Sequence, residues 1–161
     1  MVIRPALAAL ALAFAAACSQ EAETQGTPAE PTEALIDGDS RPFLGKEDAN
    51  VVLIEYGAPT CPGCGSWHAN FWQPLKSTYI DTNLIRFEFR VLPSHNPPVD
   101  AAIAGIGLCA GEERFYDVLD KAFEDQIPIE MASRQGQALQ AMLDLGAAFG
   151  QSEERVTSCV N

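Results

Sequence analysis

Apolar positions change their spacing several times along the chain, and each change marks an element. Ala6–Ala17 reads ALAALALAFAAA, an unbroken apolar run of twelve residues. Spanning hydrocarbon takes roughly 20 helical residues, so this run is too short for a membrane helix. Ser19–Glu33 is polar and acidic with no apolar period, the composition of a flexible tether. Asn50–Tyr56 (NVVLIEY) is β-branched and apolar and stops at Gly57, Ala58 and Pro59, which predicts a buried strand. Cys61 and Pro62 then open a helix in which Trp67, Phe71, Leu75 and Tyr79 form one apolar stripe; Pro74 should kink it or start a second helix. Between Leu84 and Val91, apolar Ile85, Phe87, Phe89 and Val91 alternate with Arg86, Glu88 and Arg90, the period of a half-buried strand. Strand, helix and strand at this spacing form a βαβ unit, so the strands should run parallel.

Beyond Pro93 and Pro97-Pro98 the period is helical throughout. Helices are predicted at Val99–Ala110, Glu112–Gln126, Gln135–Phe149, ended by Gly150, and Glu153–Val160, capped by Ser152. Gly105 and Gly107 make a lone G-x-G, better suited to close helix packing than to holding phosphate. Two strands do not make a stable sheet, since three or more are usually needed. We therefore expect either a truncated chain or a shortened variant that uses Leu35–Ile36 as an extra strand.

Arg4 is the only charged residue ahead of the apolar run, and small residues follow that run, which predicts a secretory signal over residues 1–17. Ala15-Ala16-Ala17-Cys18 resembles the bacterial lipoprotein processing site, in which Cys18 would be lipidated; Ala15 and Ala17 equally satisfy an A-x-A rule that would leave Cys18 free. Residues 18–41 would then be anchor and acidic linker, and 42–161 the folded domain. The chain carries 10 Lys and Arg against 22 Asp and Glu, a net charge of −12, which excludes binding to nucleic acid.

Cys61-Pro62-Gly63-Cys64 lies between the buried strand and the helix. A C-x-x-C near a βαβ pattern reads as a redox pair. Unpaired N–H groups and the helix dipole favour a thiolate at the first cysteine, making Cys61 the nucleophile. Cys64, one turn in, is placed to resolve the mixed disulfide. Half of a zinc site and an inert structural disulfide are the competing readings; no second C-x-x-C or H-x₃-H is present to complete a zinc site. Glu55, a carboxylate on a buried strand six residues before Cys61, should have a raised pKa and exchange protons near neutrality, unless it faces outward. His68, one turn beyond Cys64, either stabilises a thiolate or flanks the site. Trp67 and Trp72 read as core and groove residues, and His95 as a loop residue.

The run VVLIEYGAPTCPGC, with WHANFW, YIDTNLIRFEFRVLP and AAIAGIGLCAGEERFYDVLDKAFEDQ after it, resembles the DsbA-like thiol–disulfide oxidoreductases of the thioredoxin superfamily, over residues 42–161. The resemblance implies an α/β thioredoxin-like fold with a helical insertion at about 98–161. It implies catalysis by Cys61 and Cys64, flanked by Pro62, Gly63 and His68, with Glu55 helping to move the proton of Cys64; the direction of exchange stays open. No metal or organic cofactor is implied, since the Cys61–Cys64 disulfide is itself the redox centre. The implied partners are cysteines of exported proteins and a membrane redox protein that resets the pair, in the periplasm or cell envelope. Family members place a cis-proline loop and closing strands after the insertion; this sequence contains neither, so the sheet is expected to be incomplete and this chain alone a poor catalyst. Cys109 and Cys159 remain, and in an oxidising compartment a structural disulfide between them competes with two small buried thiols. A thioredoxin-like module that binds copper through Cys61 and Cys64, or serves only for interaction, is the alternative function.

Overall fold

The computed structural model describes residues 41–160. The signal run, Cys18, the linker up to residue 40 and the Leu35–Ile36 alternative lie outside the described residues. The sheet has three strands: β1 (Leu44–Gly45), β2 (Val52–Gly57) and β3 (Arg86–Val91), in the order β1-β3-β2. β2 runs parallel to β3, with Val52 opposite Arg86 and Gly57 opposite Val91, as the βαβ spacing requires. The third strand is thus Leu44–Gly45, antiparallel to β3, and two residues are too few to show a period. Gly45 has φ +84°, and a Cβ there would lie 2.2 Å from the Ile85 carbonyl oxygen, so only glycine fits.

Two expectations about burial fail. β2 was expected to be buried, yet Val52, Leu53 and Tyr56 are exposed, because among the described residues β2 pairs on one side only. In β3, Phe87 and Phe89 are buried as the alternation requires, but Glu88 is buried too, at 5% exposure. Arg86 and Arg90 flank its carboxylate, and their own cations lie over the rings of Phe43 and Tyr56, 5.5 Å from each centroid. Burial pushes the Glu88 carboxyl up, but the two guanidiniums outweigh it and hold the pKa below the ordinary value.

The helix after Cys61 is continuous in backbone but mixed in pitch. α1 (Pro62–Trp67) passes into a π segment (His68–Trp72), a single α turn, α2 (Gln73–Leu75), and a second π segment (Lys76–Ile80). Pro74, which has no N–H to donate, is absorbed by this widening rather than by a break. The changed pitch also rotates the faces. Trp72 and Ile80 are the buried residues, whereas Phe71 and Tyr79 of the expected stripe are exposed.

Five helices follow: α3 (Pro97–Ala110), α4 (Glu112–Glu124), α5 (Gln126–Arg134), α6 (Ala138–Ala148) and α7 (Glu153–Val160). α5 was not anticipated. The expected Glu112–Gln126 helix ends instead at Glu124, and Pro128 sits in the first turn of α5, where its missing N–H has no partner to lose. Ser152 Oγ accepts the N–H of Arg155 at 3.2 Å, the expected cap of α7. Gly105 and Gly107 serve packing. A Cβ on Gly105 would meet the Cys159 carbonyl oxygen at 2.2 Å, and one on Gly107 the Phe115 ring at 2.9 Å. One core joins sheet and helices, built around Phe87, Trp72, Ile103, Ile106, Phe115 and Val118.

Candidate active site

Cys61 occupies the position just before α1, with extended backbone (φ −76°, ψ 118°), and Pro62 is the first helical residue. Here α1 presents unpaired N–H groups to the Cys61 sulfur. The backbone N–H of Cys64, then the Cys64 thiol, hold the Cys61 pKa below the ordinary thiol value; desolvation and the charge of Asp100 oppose them. Cys64 is shifted the other way. Burial pushes its thiol up, and the negative charges of Cys61 and Glu55 add to the effect, against a smaller pull from the Ala58 backbone. The two thiols are free and half-buried. The two thiols are therefore unequal: Cys61 ionises more readily than an ordinary thiol, and Cys64 less readily.

Glu55 borders the same space as Cys64. It lies on β2 and lines an open groove of about 340 Å³ together with Leu53, Gly63, Cys64, Trp67 and Phe87. Burial raises its carboxyl from 4.5 to about 7. Pro62 and Gly63 are exposed at the rim.

Two residues that the sequence reading missed hold the turn in front of Cys61. Asp100, in the first turn of α3, is fully buried at 0% exposure. Its Oδ1 accepts the N–H of Thr60 at 2.9 Å and its Oδ2 the N–H of Ser94 at 3.1 Å, joining the turn to the loop after β3. Gln126 of α5 donates from Nε2 to the carbonyls of Pro59 (2.7 Å) and Cys61 (2.9 Å). A Cβ on Gly65 would lie 2.4 Å from the Gln126 Oε1, so the side chain is wedged against α1. The available signal for Asp100 was a lone acid inside the apolar run VDAAIAGIG. Gln126 left none.

His68 does not join the thiols. Its ring stacks between Trp72 (5.3 Å between centroids) and Phe123 (4.5 Å), and its Nε2 lies 3.4 Å from Asp120 Oδ1. Burial depresses its pKa from 6.5 to about 4 and raises that of Asp120 from 3.8 to about 6, so both are driven toward their neutral forms. Trp67 lines the groove and Trp72 is in the core; His95 is an exposed loop residue. Cys109 and Cys159 form a disulfide between α3 and α7, with 6.3 Å between Cα atoms. Among the described residues, no group of three or more His, Cys, Asp or Glu side chains is placed to hold a metal ion, and no helix is long and apolar enough to cross a membrane.

A family model described as thioredoxin matches residues 38–161. A Rickettsia conorii protein provisionally named a protein-disulfide oxidoreductase is 32% identical over 123 residues, covering 76% of this chain and 43% of that protein. Disulfide bond formation protein D of Bacillus subtilis is 30% identical over 104 residues, covering 63% of this chain and 46% of its own. The chain thus spans less than half the length of these curated relatives. Among solved structures, alpha-DsbA1 of Wolbachia pipientis superposes with a TM-score of 0.68 at 22% identity, over 82% of this chain and 65% of that one. A protein-disulfide isomerase from Novosphingobium aromaticivorans superposes with a TM-score of 0.59 at 21% identity, over 73% and 69%.

Proposed function

The chain belongs to the thioredoxin family, with the fold of its DsbA-like members, and on that premise we propose that Cys61 and Cys64 exchange disulfides with the cysteines of exported proteins. The opposite shifts of the two thiols, across one helical turn and beside a half-buried Glu55, carry this reading. When the pair is oxidised, a substrate thiolate attacks the Cys61 sulfur. The Cys61–Cys64 bond breaks, Cys64 leaves and takes a proton from Glu55. A second substrate thiolate then attacks its partner sulfur in the mixed disulfide, forming the substrate disulfide and releasing the Cys61 thiolate. Stabilising that thiolate favours the reduced pair, so the reaction runs toward disulfide donation. No metal or organic cofactor takes part.

The signal run over 1–17 directs export, lipidation at Cys18 ties the domain to the cell envelope, and a membrane redox protein reoxidises the pair. The test is equilibration in glutathione buffers, followed by alkylation and mass spectrometry of each cysteine. A Cys61–Cys64 potential above about −200 mV supports disulfide donation. A value near about −270 mV or below makes the pair a reductant or a structural bridge and overturns the reading.

A further inference from the structure

Glu55 also lines a second, small space that the dithiol chemistry above leaves unused. It measures about 10 Å³, the size that admits one water, and Glu55, His68, Trp72, Tyr116 and Asp120 line it. Glu55 therefore borders two spaces: the open groove shared with Cys64 and this cavity shared with His68 and Asp120. Asp120 Oδ1 is buried without a hydrogen bond, with His68 Nε2 3.4 Å away, yet 29% of the Asp120 side chain reaches solvent against 14% for His68. Cys64 and Glu55 thus share one space, Glu55, His68 and Asp120 share the other, and Asp120 is the more exposed member of the His68–Asp120 pair.

We propose that His68 and Asp120 form a proton exit for Glu55, so that the proton taken from Cys64 leaves across the cavity rather than through the groove. The proposal rests on the thiol-exchange reading. In the resolving direction, Cys64 gives its proton to Glu55 and its sulfur attacks the Cys61 sulfur of a mixed disulfide. The Cys61–Cys64 bond forms, the bond from Cys61 to the substrate sulfur breaks, and the substrate leaves as a thiolate. Glu55 takes that proton while the substrate is still joined to Cys61 over the groove. The cavity is then the route that stays open.

Burial penalises a cationic His68, but a relay does not need one. A neutral imidazole accepts a proton at one nitrogen as it donates from the other, and its Nε2 faces the carboxylate that receives it. Asp120 is tuned for the task, since burial lifts its pKa to about 6, with Asp117 and Glu124 of the same helix adding to the rise and the Trp72 indole and Lys76 opposing it. On the Glu55 side the remaining titratable neighbour is Tyr116, whose phenol burial pushes far up, so it stays protonated and donates to backbone carbonyls. His68 and Asp120 act through Glu55 and touch no reacting sulfur; they are positioning residues.

The test is stopped-flow reaction of the full chain with the aromatic disulfide dithiobis(nitrobenzoate). Cys18→Ser is present throughout, the Cys61–Cys64 pair is reduced and the Cys109–Cys159 bridge is intact. Attack by Cys61 releases one thiolate chromophore, and resolution by Cys64 releases a second. Release of a single equivalent by the otherwise unchanged protein overturns the thiol-exchange reading itself, and the exit with it. Given two, D120N should slow the second release about ten-fold at pH 7 and enlarge its solvent isotope effect, leaving the first release unchanged. H68Q should do the same, and the double variant should be no slower than either single one, as for two links of one path. D120E, which keeps a carboxylate, should restore the second release to within about two-fold. An unchanged second release in D120N or H68Q, equal slowing of both releases, or multiplicative slowing in the double variant overturns the exit. If D120N does not fold, H68Q decides.

Discussion

Glu55→Gln should stabilise the protein and cripple its chemistry, and the size of the first effect follows from the site. Folded Glu55 keeps its proton up to about pH 7, whereas an ordinary glutamate loses it near 4.5. Between these values the folded state binds the extra proton, so stability falls as pH rises through that window and levels off above it. The full gap corresponds to about 3 kcal/mol at about 1.4 kcal/mol per pH unit. Glu55 is partly open to the groove, so solvent screening reduces this to about 2 kcal/mol. Glutamine has no charge to bury and should avoid the loss. Urea unfolding of the oxidised protein and the variant at pH 4 and pH 8.5 should therefore give nearly equal stabilities at pH 4, below the window. At pH 8.5 the variant should be about 2 kcal/mol more stable, a midpoint shift of about 1 M for a domain of this size. Asp120, raised by burial, and His68, lowered by it, also titrate, with opposite signs, and the difference between the two proteins removes both. The second thiolate release should meanwhile slow about 100-fold at pH 7, because an amide cannot take the Cys64 proton. A variant that is less stable at pH 8.5, or one that keeps the same pH slope, would refute the claim that a buried carboxylate is held here at a cost to stability.

Replacing both Cys109 and Cys159 by Ala opens a cross-link with a sequence separation of 50. The chain-entropy relation gives about 4 kcal/mol for a loop of that length, to be read as a fall in thermal midpoint of about 15 °C by calorimetry. Gly105→Ala drives a Cβ into the Cys159 carbonyl oxygen, so α7 must shift off α3 at a cost of about 2 kcal/mol in urea unfolding; a neutral result would deny the close helix contact. Gln126→Ala removes two hydrogen bonds from the carbonyls on either side of Thr60. A loss of about 1–2 kcal/mol is expected, with faster amide exchange confined to residues 59–65 and a changed first thiolate release.

How much could be read without the fold depends on how far apart the interacting residues lie. The parallel pairing of β2 with β3, the capping of α7 by Ser152 and the packing role of Gly105 rest on local period or local chemistry, and these were legible. The placement of Cys61 and Cys64 at a helix start and of Glu55 on the strand before it was legible as well, because they sit within one strand–helix unit, where spacing along the chain is nearly spacing in space. Burial was less so. Whether Val52 and Leu53 are covered depends on what pairs with the far edge of β2, and whether Glu88 is buried depends on two arginines and the rings beneath them. The stripe through Phe71 and Tyr79 assumed a uniform helical pitch, and the π turns on either side of Pro74 changed the face.

What the sequence by itself determined is the chemistry: a C-x-x-C at a helix start after a strand, with a carboxylate on that strand, specifies an asymmetric thiol pair through short-range hydrogen bonding and burial. What only the tertiary structure decided is the setting. Asp100 and Gln126, 40 and 67 residues from their partners Thr60 and Pro59, clamp the turn before Cys61, and Asp120 meets His68 across the gap between α4 and the first π segment. Contacts across such separations leave no period along the chain. They arise because α3 and α4 pack against the sheet and α5 against α4, and only in that arrangement does a single acid or amide in a helix acquire a partner.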